Sequence, residues 1–316
     1  MASGRKRFTR ALTGWISIAY VKWTRLVPVS VARKITCAFG RILLALVPRL
    51  HKVGMDNLNL AYGDTLTHAE KKAILRGAMD NICTVATEFS RIKELAESDI
   101  SGVVKVVGQE NVKEGKGHLI IGAHLGSWEW MIPTMNNLGY RVAAIYRPND
   151  FKPLDQLIID TRSGPNTVLI PKDNAGANLI AELMNGALSG LAADQSPRDN
   201  GVPTTFFGQP CWSTIGPAML SFRAQVPILM LSLFRQPDGT YEFRFYPLLE
   251  LDHGDDLLEN LVSNTQKVQD ELEKLIRQHP EQWLWFHRRW KKRPRLEKEW
   301  AERLAKNEKD KAKKAE

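Results

Sequence analysis

Residues 117–130 read Gly-His-Leu-Ile-Ile-Gly-Ala-His-Leu-Gly-Ser-Trp-Glu-Trp and hold the groups needed for proton transfer at neutral pH. An imidazole titrates in that range, and a carboxylate bonded to one ring nitrogen fixes the tautomer and leaves the other nitrogen free to act as a base. His124 and Glu129 are five positions apart, which on one regular helix would separate them by roughly 140°. They can pair only if His124 sits in a loop, Gly126 supplies the bend, and a helix starts near Ser127. Glu129 then falls in the first turn, where the helix dipole favours a carboxylate. With seven His and thirty-five Asp plus Glu among 316 residues, chance supplies about one such spacing. His51 with Asp56 is a second case, and it precedes no strand. His124 differs because Leu119-Ile120-Ile121 reads as a buried strand that delivers it to a strand end, where open α/β sheets keep their functional groups.

The elements that must position this pair follow from periodicity. Thr67-His-Ala-Glu70 is a capping-box pattern, and Ile74, Ala78, Ile82, Val85, Phe89 and Ile92 continue it at helical spacing. Asp80 and Glu88 on that helix read as solvated or structural. Strands are expected at 103–107, 119–123, 141–146, 167–170, 190–193 and 226–234, with 241–247 as an added edge. Helices are expected at 127–137, 153–161, 175–187, 214–222 and 255–278. This alternation predicts an α/β fold with a mixed, mostly parallel sheet covered by helices. Polar groups at strand ends in such a sheet converge on one crevice, so Arg147, Arg162, Asp194 and Gln195 are expected near His124. Phe206, Phe207 and Trp212 supply aromatic surface that could line a channel for an apolar chain.

Composition narrows the partners. The content is 43% hydrophobic and 25% charged, as for a folded protein with a large core. Cys37, Cys83 and Cys211 are far apart in sequence, which suggests neither a disulfide framework nor a zinc site. The net charge of +9 is concentrated at the start, where eleven Lys and Arg precede the first acid, Asp56. Aliphatic and aromatic residues from Phe8 to Val47 are interleaved with those cations, as in helices lying in an anionic lipid surface and unlike a nucleic-acid binder. No run reaches the roughly twenty apolar residues of a span. Residues 1–55 therefore read as a basic amphipathic membrane-binding segment, 56–294 as the catalytic domain and 295–316 as a charged tail, either a fraying surface helix or disordered. Near its end the chain packs Trp283, Trp285 and Trp290 against the cations 288–293.

Four ordered blocks together carry a resemblance. They are Gly-Ala-His124-x4-Glu129; Tyr146-Arg147-Pro148; Asp194-Gln195 with Phe206-Phe207-Gly208; and Gln282-Trp283-Leu-Trp-x-His287-Arg288-Arg289-Trp290-Lys291. The chain thereby resembles the late acyltransferases of lipid A biosynthesis, the lauroyl and myristoyl transferases within the lysophospholipid acyltransferase superfamily. The resemblance implies a glycerol-phosphate-acyltransferase-like fold at the cytoplasmic face of the inner membrane. It further implies acyl transfer from acyl carrier protein to a hydroxyl of a hydroxyacyl chain on a lipid A precursor, with anionic lipid as surroundings and neither cofactor nor metal. His124 would be the base and Glu129 its partner, with Arg147, Arg162, Asp194 and Gln195 on substrate; the subgroup leaned towards is the myristoyl one. Transfer to another glycolipid or glycerophospholipid keeps the same chemistry. A basic lipid-binding module, or a metal hydrolase using His118, His124 and Glu129, are the readings from other classes.

Overall fold

The computed structural model describes residues 2–173 and 175–315. The side chains of residues 2–7, 95–96 and 314–315 lie outside the description, and with them those of the basic residues Arg5, Lys6 and Arg7. Three helices come first: α1 (Ala2–Leu26), α2 (Val29–Leu46) and α3 (Pro48–Tyr62). Pro28 and Pro48 punctuate them at helix starts, where a missing N–H is tolerated. The third helix runs through residue 55 without a break. Next comes α4 (His68–Phe89), which opens on the expected capping box. Thr67 Oγ1 accepts the Glu70 N–H at 3.2 Å, and Glu70 Oε2 accepts the Thr67 N–H at 2.7 Å. It is followed by the short α5 (Ile92–Glu97).

The first two helices show apolar side chains on their outer face. Phe8, Leu12, Trp15 and Ile16 on α1, and Ile35, Phe39, Ile42, Leu43 and Leu46 on α2, recur every three or four residues and are exposed. Their polar contacts point inward instead. Arg41 forks onto Asp80 of α4 at 2.8 and 2.6 Å, and Arg91 donates to the carbonyls of Thr24 and Val27 where α1 turns into α2. Close packing of α2 on α4 depends on Gly40, because a Cβ there would stand 2.3 Å from the Cys83 sulfur. Among the described residues no helix is long and apolar enough to cross a membrane.

Nine strands follow among the described residues: β1 (Val104–Val107), β2 (His118–Gly122), β3 (Val142–Tyr146), β4 (Thr167–Pro171), β5 (Leu188–Ala192), β6 (Gly201–Phe206), β7 (Gln209–Thr214), β8 (Ile228–Arg235) and β9 (Tyr241–Leu248). Seven form one sheet in the order β1-β9-β8-β2-β5-β3-β4. From β8 to β4 all neighbours are parallel, whereas β9 runs against β8 and carries β1 parallel to itself. The sheet is thus mixed and mostly parallel, as expected. Residues 241–247 are not its edge, because β1 covers β9.

Around the sheet lie α6 (Met131–Asn137), α7 (Lys152–Arg162), α8 (Ala175–Met184), α9 (Gly216–Ala224) and α10 (Leu257–Gln278). The helix expected at 214–222 starts later because 209–214 pair with β6 in a hairpin. The tail forms α11 (Pro294–Ala315), anchored by the buried Leu296 and by Lys311, which bridges to Asp256 and Glu259. Every residue of β2 is buried, so the strand that leads to His124 runs through the centre of the molecule.

Candidate active site

The site forms because β2 and β5 are parallel neighbours in register. Gly122 lies opposite Ala192, and two residues further along each strand stand His124 and Asp194. His124 Nδ1–H donates to Asp194 Oδ1 at 3.0 Å, and the Asp194 Oδ2 accepts the His124 backbone N–H at 3.1 Å and the Trp283 indole N–H at 2.9 Å. The Gln195 amide lies 3.4 Å from the same Nδ1. Asp194 is 1% exposed while His124 keeps 30% of its side chain open. His124 Nε2 has no hydrogen-bond partner among the described residues.

Electrostatics follow from that burial and pairing. Burial pulls the His124 pKa down, but the charge and hydrogen bond of Asp194, with Glu129 adding, outweigh it and hold it above the ordinary value. Burial pushes the Asp194 carboxyl up, yet the His124 charge and the converging donors hold it at about 2. The result is an ionised, immobile carboxylate behind an imidazole whose outer nitrogen is free.

Glu129 therefore does not hold His124 as the spacing suggested. Its two oxygens are taken by the fork of Arg162, at 3.0 and 2.7 Å, while a residue seventy positions away occupies the imidazole. A bidentate guanidinium is the stronger partner for a carboxylate, so Glu129 reaches His124 only through its charge. The helix at 127–137 is divided accordingly: a single tight turn spans Trp128–Trp130 before α6 begins. Gly126 does supply the bend. Its φ is +62°, and a Cβ would lie 2.1 Å from the Leu233 carbonyl of β8.

The turn is held from below by groups outside the expected site. Glu88, 1% exposed, accepts from Ser127 Oγ at 2.9 Å and from Arg235 at 3.0 Å. Asn81 donates to the carbonyls of Gly126 and Gln282. Glu88 is thus structural, as expected, and Asp80 is paired to Arg41. Arg235 was not singled out, although a cation directly after the apolar run 226–234 was a signal that could have found it.

A cavity of about 230 Å³ opens beside His124, between the sheet and α6. Its walls are chiefly apolar, including Ile120, Met131, Met135, Leu169 and Leu231, with Glu129, Arg162 and Tyr146 among its polar lining. Gly122 and Gly190 explain the hollow: side chains on alternate strand positions would fill it, and a Cβ on Gly190 would meet nothing within 4 Å. His124, Glu129 and Arg162 share this cavity and Asp194 touches it through His124. Arg147 is exposed beyond β3 and lines no part of it.

Phe206, Phe207 and Trp212 do not line the cavity either. Phe206 and Phe207 are buried against Trp283, Trp285 and Trp290, and Trp212 is half-buried on β7 with its carbonyl accepting from Arg289 at 2.6 Å. They form core where the sequence suggested a channel. His118 lies at the other end of β2, about 20 Å along the strand from His124. Both of its ring nitrogens are bonded to backbone, Nδ1–H donating to the Lys116 carbonyl and Nε2 accepting the Lys113 N–H. It cannot share a metal with His124.

Comparison with known proteins agrees with the long reach of these motifs. A model of the family "Bacterial lipid A biosynthesis acyltransferase" matches residues 2–292. The chain is similar to the lipid A biosynthesis lauroyltransferase of Escherichia coli K12, at 25% identity over 89% of this chain and 92% of the relative. It is similar to that organism's lipid A biosynthesis palmitoleoyltransferase at 24% over 81% and 83%, and to a phosphatidylinositol mannoside acyltransferase of Mycobacterium tuberculosis at 25% over 56% and 55%. Among solved structures, the 1-acyl-sn-glycerophosphate acyltransferase PlsC of Thermotoga maritima aligns with a TM-score of 0.38 at 14% identity, covering 78% of this chain and 97% of that one. With a match that runs from α1 through the tryptophan-rich segment before α11, the chain belongs to the bacterial lipid A biosynthesis acyltransferase family.

Proposed function

We propose that this acyltransferase moves a fatty acyl chain from acyl carrier protein to a hydroxyl of a hydroxyacyl chain on a lipid A precursor, with His124 as general base. The observation that carries the proposal is an imidazole fixed at Nδ1 by buried Asp194 and open at Nε2 onto an apolar cavity. His124 Nε2 takes the hydroxyl proton as the oxygen attacks the thioester carbonyl carbon. The carbon–sulfur bond then breaks, and the proton passes from Nε2 to the departing thiolate. General-base help of this kind is typically worth about 10²–10⁴-fold. Asp194 is a positioning residue that stabilises the imidazolium formed on the way.

Among the described residues the cavity wall contains no Ser, Thr or Cys, and Ser127 is buried with its hydroxyl on Glu88. Transfer is accordingly direct, with both substrates bound together and no acyl-enzyme. The apolar hollow beside His124 suits the acyl chain, and Arg162 in its lining suits a polar group of the acceptor or the developing oxyanion. The exposed apolar stripes of α1 and α2, set among cations, suit attachment to the cytoplasmic face of the inner membrane. A lauroyl or myristoyl chain is the proposed cargo.

The test is to incubate the purified protein with acyl carrier thioester and lipid A precursor and weigh both products. The expected result is a glycolipid heavier by one acyl group and a protein of unchanged mass. An acyl adduct on the protein would overturn direct transfer. Unmodified glycolipid with every chain length offered would overturn the assignment.

A further inference from the structure

A second cavity, of about 260 Å³, lies between α3 and the loop that precedes α11. Arg49 and Lys52 enter it from α3, and Arg288 and Lys291 from the loop, with Val53, Leu60 and Trp290 as apolar wall. Elsewhere in the molecule Arg41, Arg141, Arg277 and Lys267 each sit on a carboxylate. Here only Lys52 does, with Asp56 at 3.3 Å, while the side chains of Arg49, Arg288 and Lys291 have no hydrogen bond or ion pair among the described residues. Asp56 also lines the cavity, so four cations face one carboxylate there, and the excess positive charge is relieved by an anion placed among them.

Position distinguishes the anion. Arg49 follows Leu46, the last apolar residue of the exposed stripe on α2, by three residues. The cavity therefore opens where an apolar face gives way to cations, which is where the phosphate of a lipid lies when its chains accompany that face. Trp290 adds a half-buried aromatic wall, its indole N–H already committed to the Phe206 carbonyl at 3.1 Å.

The loop is also tied to the reaction centre. Asn57 of α3 donates to the carbonyls of Trp285 and His287, and His287 Nε2 accepts the backbone N–H of Ser196, two residues past Asp194.

We infer that this cavity binds the phosphate of a lipid headgroup, through Arg49, Lys52, Arg288 and Lys291. The inference rests on the membrane attachment proposed above and adds the lipid chemistry that is recognised there. The lipid is either the phosphorylated acceptor or an anionic phospholipid of the surrounding layer.

The test uses full-length protein and vesicles of phosphatidylcholine alone or with phosphatidic acid. Arg288→Gln/Lys291→Gln is expected to weaken binding to the anionic vesicles about fivefold per charge removed and to leave binding to neutral ones unchanged. Asp56→Asn should strengthen binding to anionic vesicles and leave binding to neutral ones unchanged, whereas misfolding that exposes apolar surface would raise both. Lys113→Gln/Lys116→Gln, which removes two exposed cations from the loop before β2, away from α1 and α2, is the comparison. An equal loss in that variant, or no loss at Arg288 and Lys291, would overturn the inference. KM then separates the two sources. If it rises for a phosphorylated acceptor but not for its dephosphorylated form, the acceptor is the ligand; unchanged KM with lost vesicle binding assigns the surrounding lipid. A rise only in the KM for the acyl carrier thioester, with vesicle binding intact, would overturn the inference in favour of an acidic protein partner. His124→Ala should bind both vesicles as wild type does, so this measurement stands apart from the acyl-transfer proposal.

Discussion

Two histidines stand at the two ends of one strand, and nearly everything about them differs. His118 opens β2, fully buried, with both ring nitrogens on loop backbone and burial holding its pKa down. His124 lies just beyond the other end, with a carboxylate on Nδ1, a free Nε2 and a raised pKa. Residue type and strand are the same in both places, so neither makes a base. The difference lies in what the chain places on the second nitrogen, and in the strand end that faces a cavity and not a closed loop.

The contrast is broken most severely at His124 itself. His124→Ala should lower the transfer rate about 10²–10⁴-fold. His118→Asn should leave turnover per folded molecule near wild type while costing about 1–3 kcal/mol of stability, read by chemical denaturation, because buried partners lose their bonds. Similar loss of turnover in both would show that the two ends are not functionally distinct.

Asp194→Asn comes next, with a loss of about 10²-fold or more, since the amide no longer fixes the productive tautomer. Its pH profile sharpens the assignment. With His124 as base, the wild-type kcat/KM should rise with pH and level off above the His124 pKa, which lies above the ordinary histidine value. The Asp194 charge raises that pKa, so removing it must move the acid limb to lower pH. A limb that stays in place would detach Asp194 from the base.

Glu129→Gln should have the smallest effect, within about tenfold and mostly in KM, because it frees Arg162 without releasing the imidazole. Its acid limb should move the same way but less than that of Asp194→Asn. The reverse order would restore Glu129 as the partner during turnover.

Much of this architecture could be read before any coordinates. The strand-helix alternation, the Thr67–Glu70 cap, the Gly126 bend and the delivery of His124 to a strand end are local in sequence, and local rules reach them. The imidazole's partner is not local. Which strand lies beside β2 is decided by packing across seventy residues, so spacing favoured the nearer acid, and Glu129 was already claimed by Arg162. Phe206, Phe207 and Trp212 misled for another reason. Their hairpin turns on Phe207 and Gly208, both at positive φ, and without Asn-Gly or Asp-Gly the usual signal of such a turn is missing. Lys-, Glu- and Ala-rich composition left the tail as either a fraying surface helix or disordered, because it could not reveal Lys311 reaching back to α10.

Glu88 is shared between Arg33 on α2, at 3.4 Å, and the Arg235 that braces the turn behind His124. With Arg91 closing the α1–α2 corner, a chain of ion pairs and hydrogen bonds joins the two amphipathic helices to the turn behind His124. If those helices lie in a lipid surface as proposed, their depth would fix the altitude of the imidazole above the lipid plane, and a substrate hydroxyl would have to rise to that level to react. Selection among lipid alcohols would begin with their height.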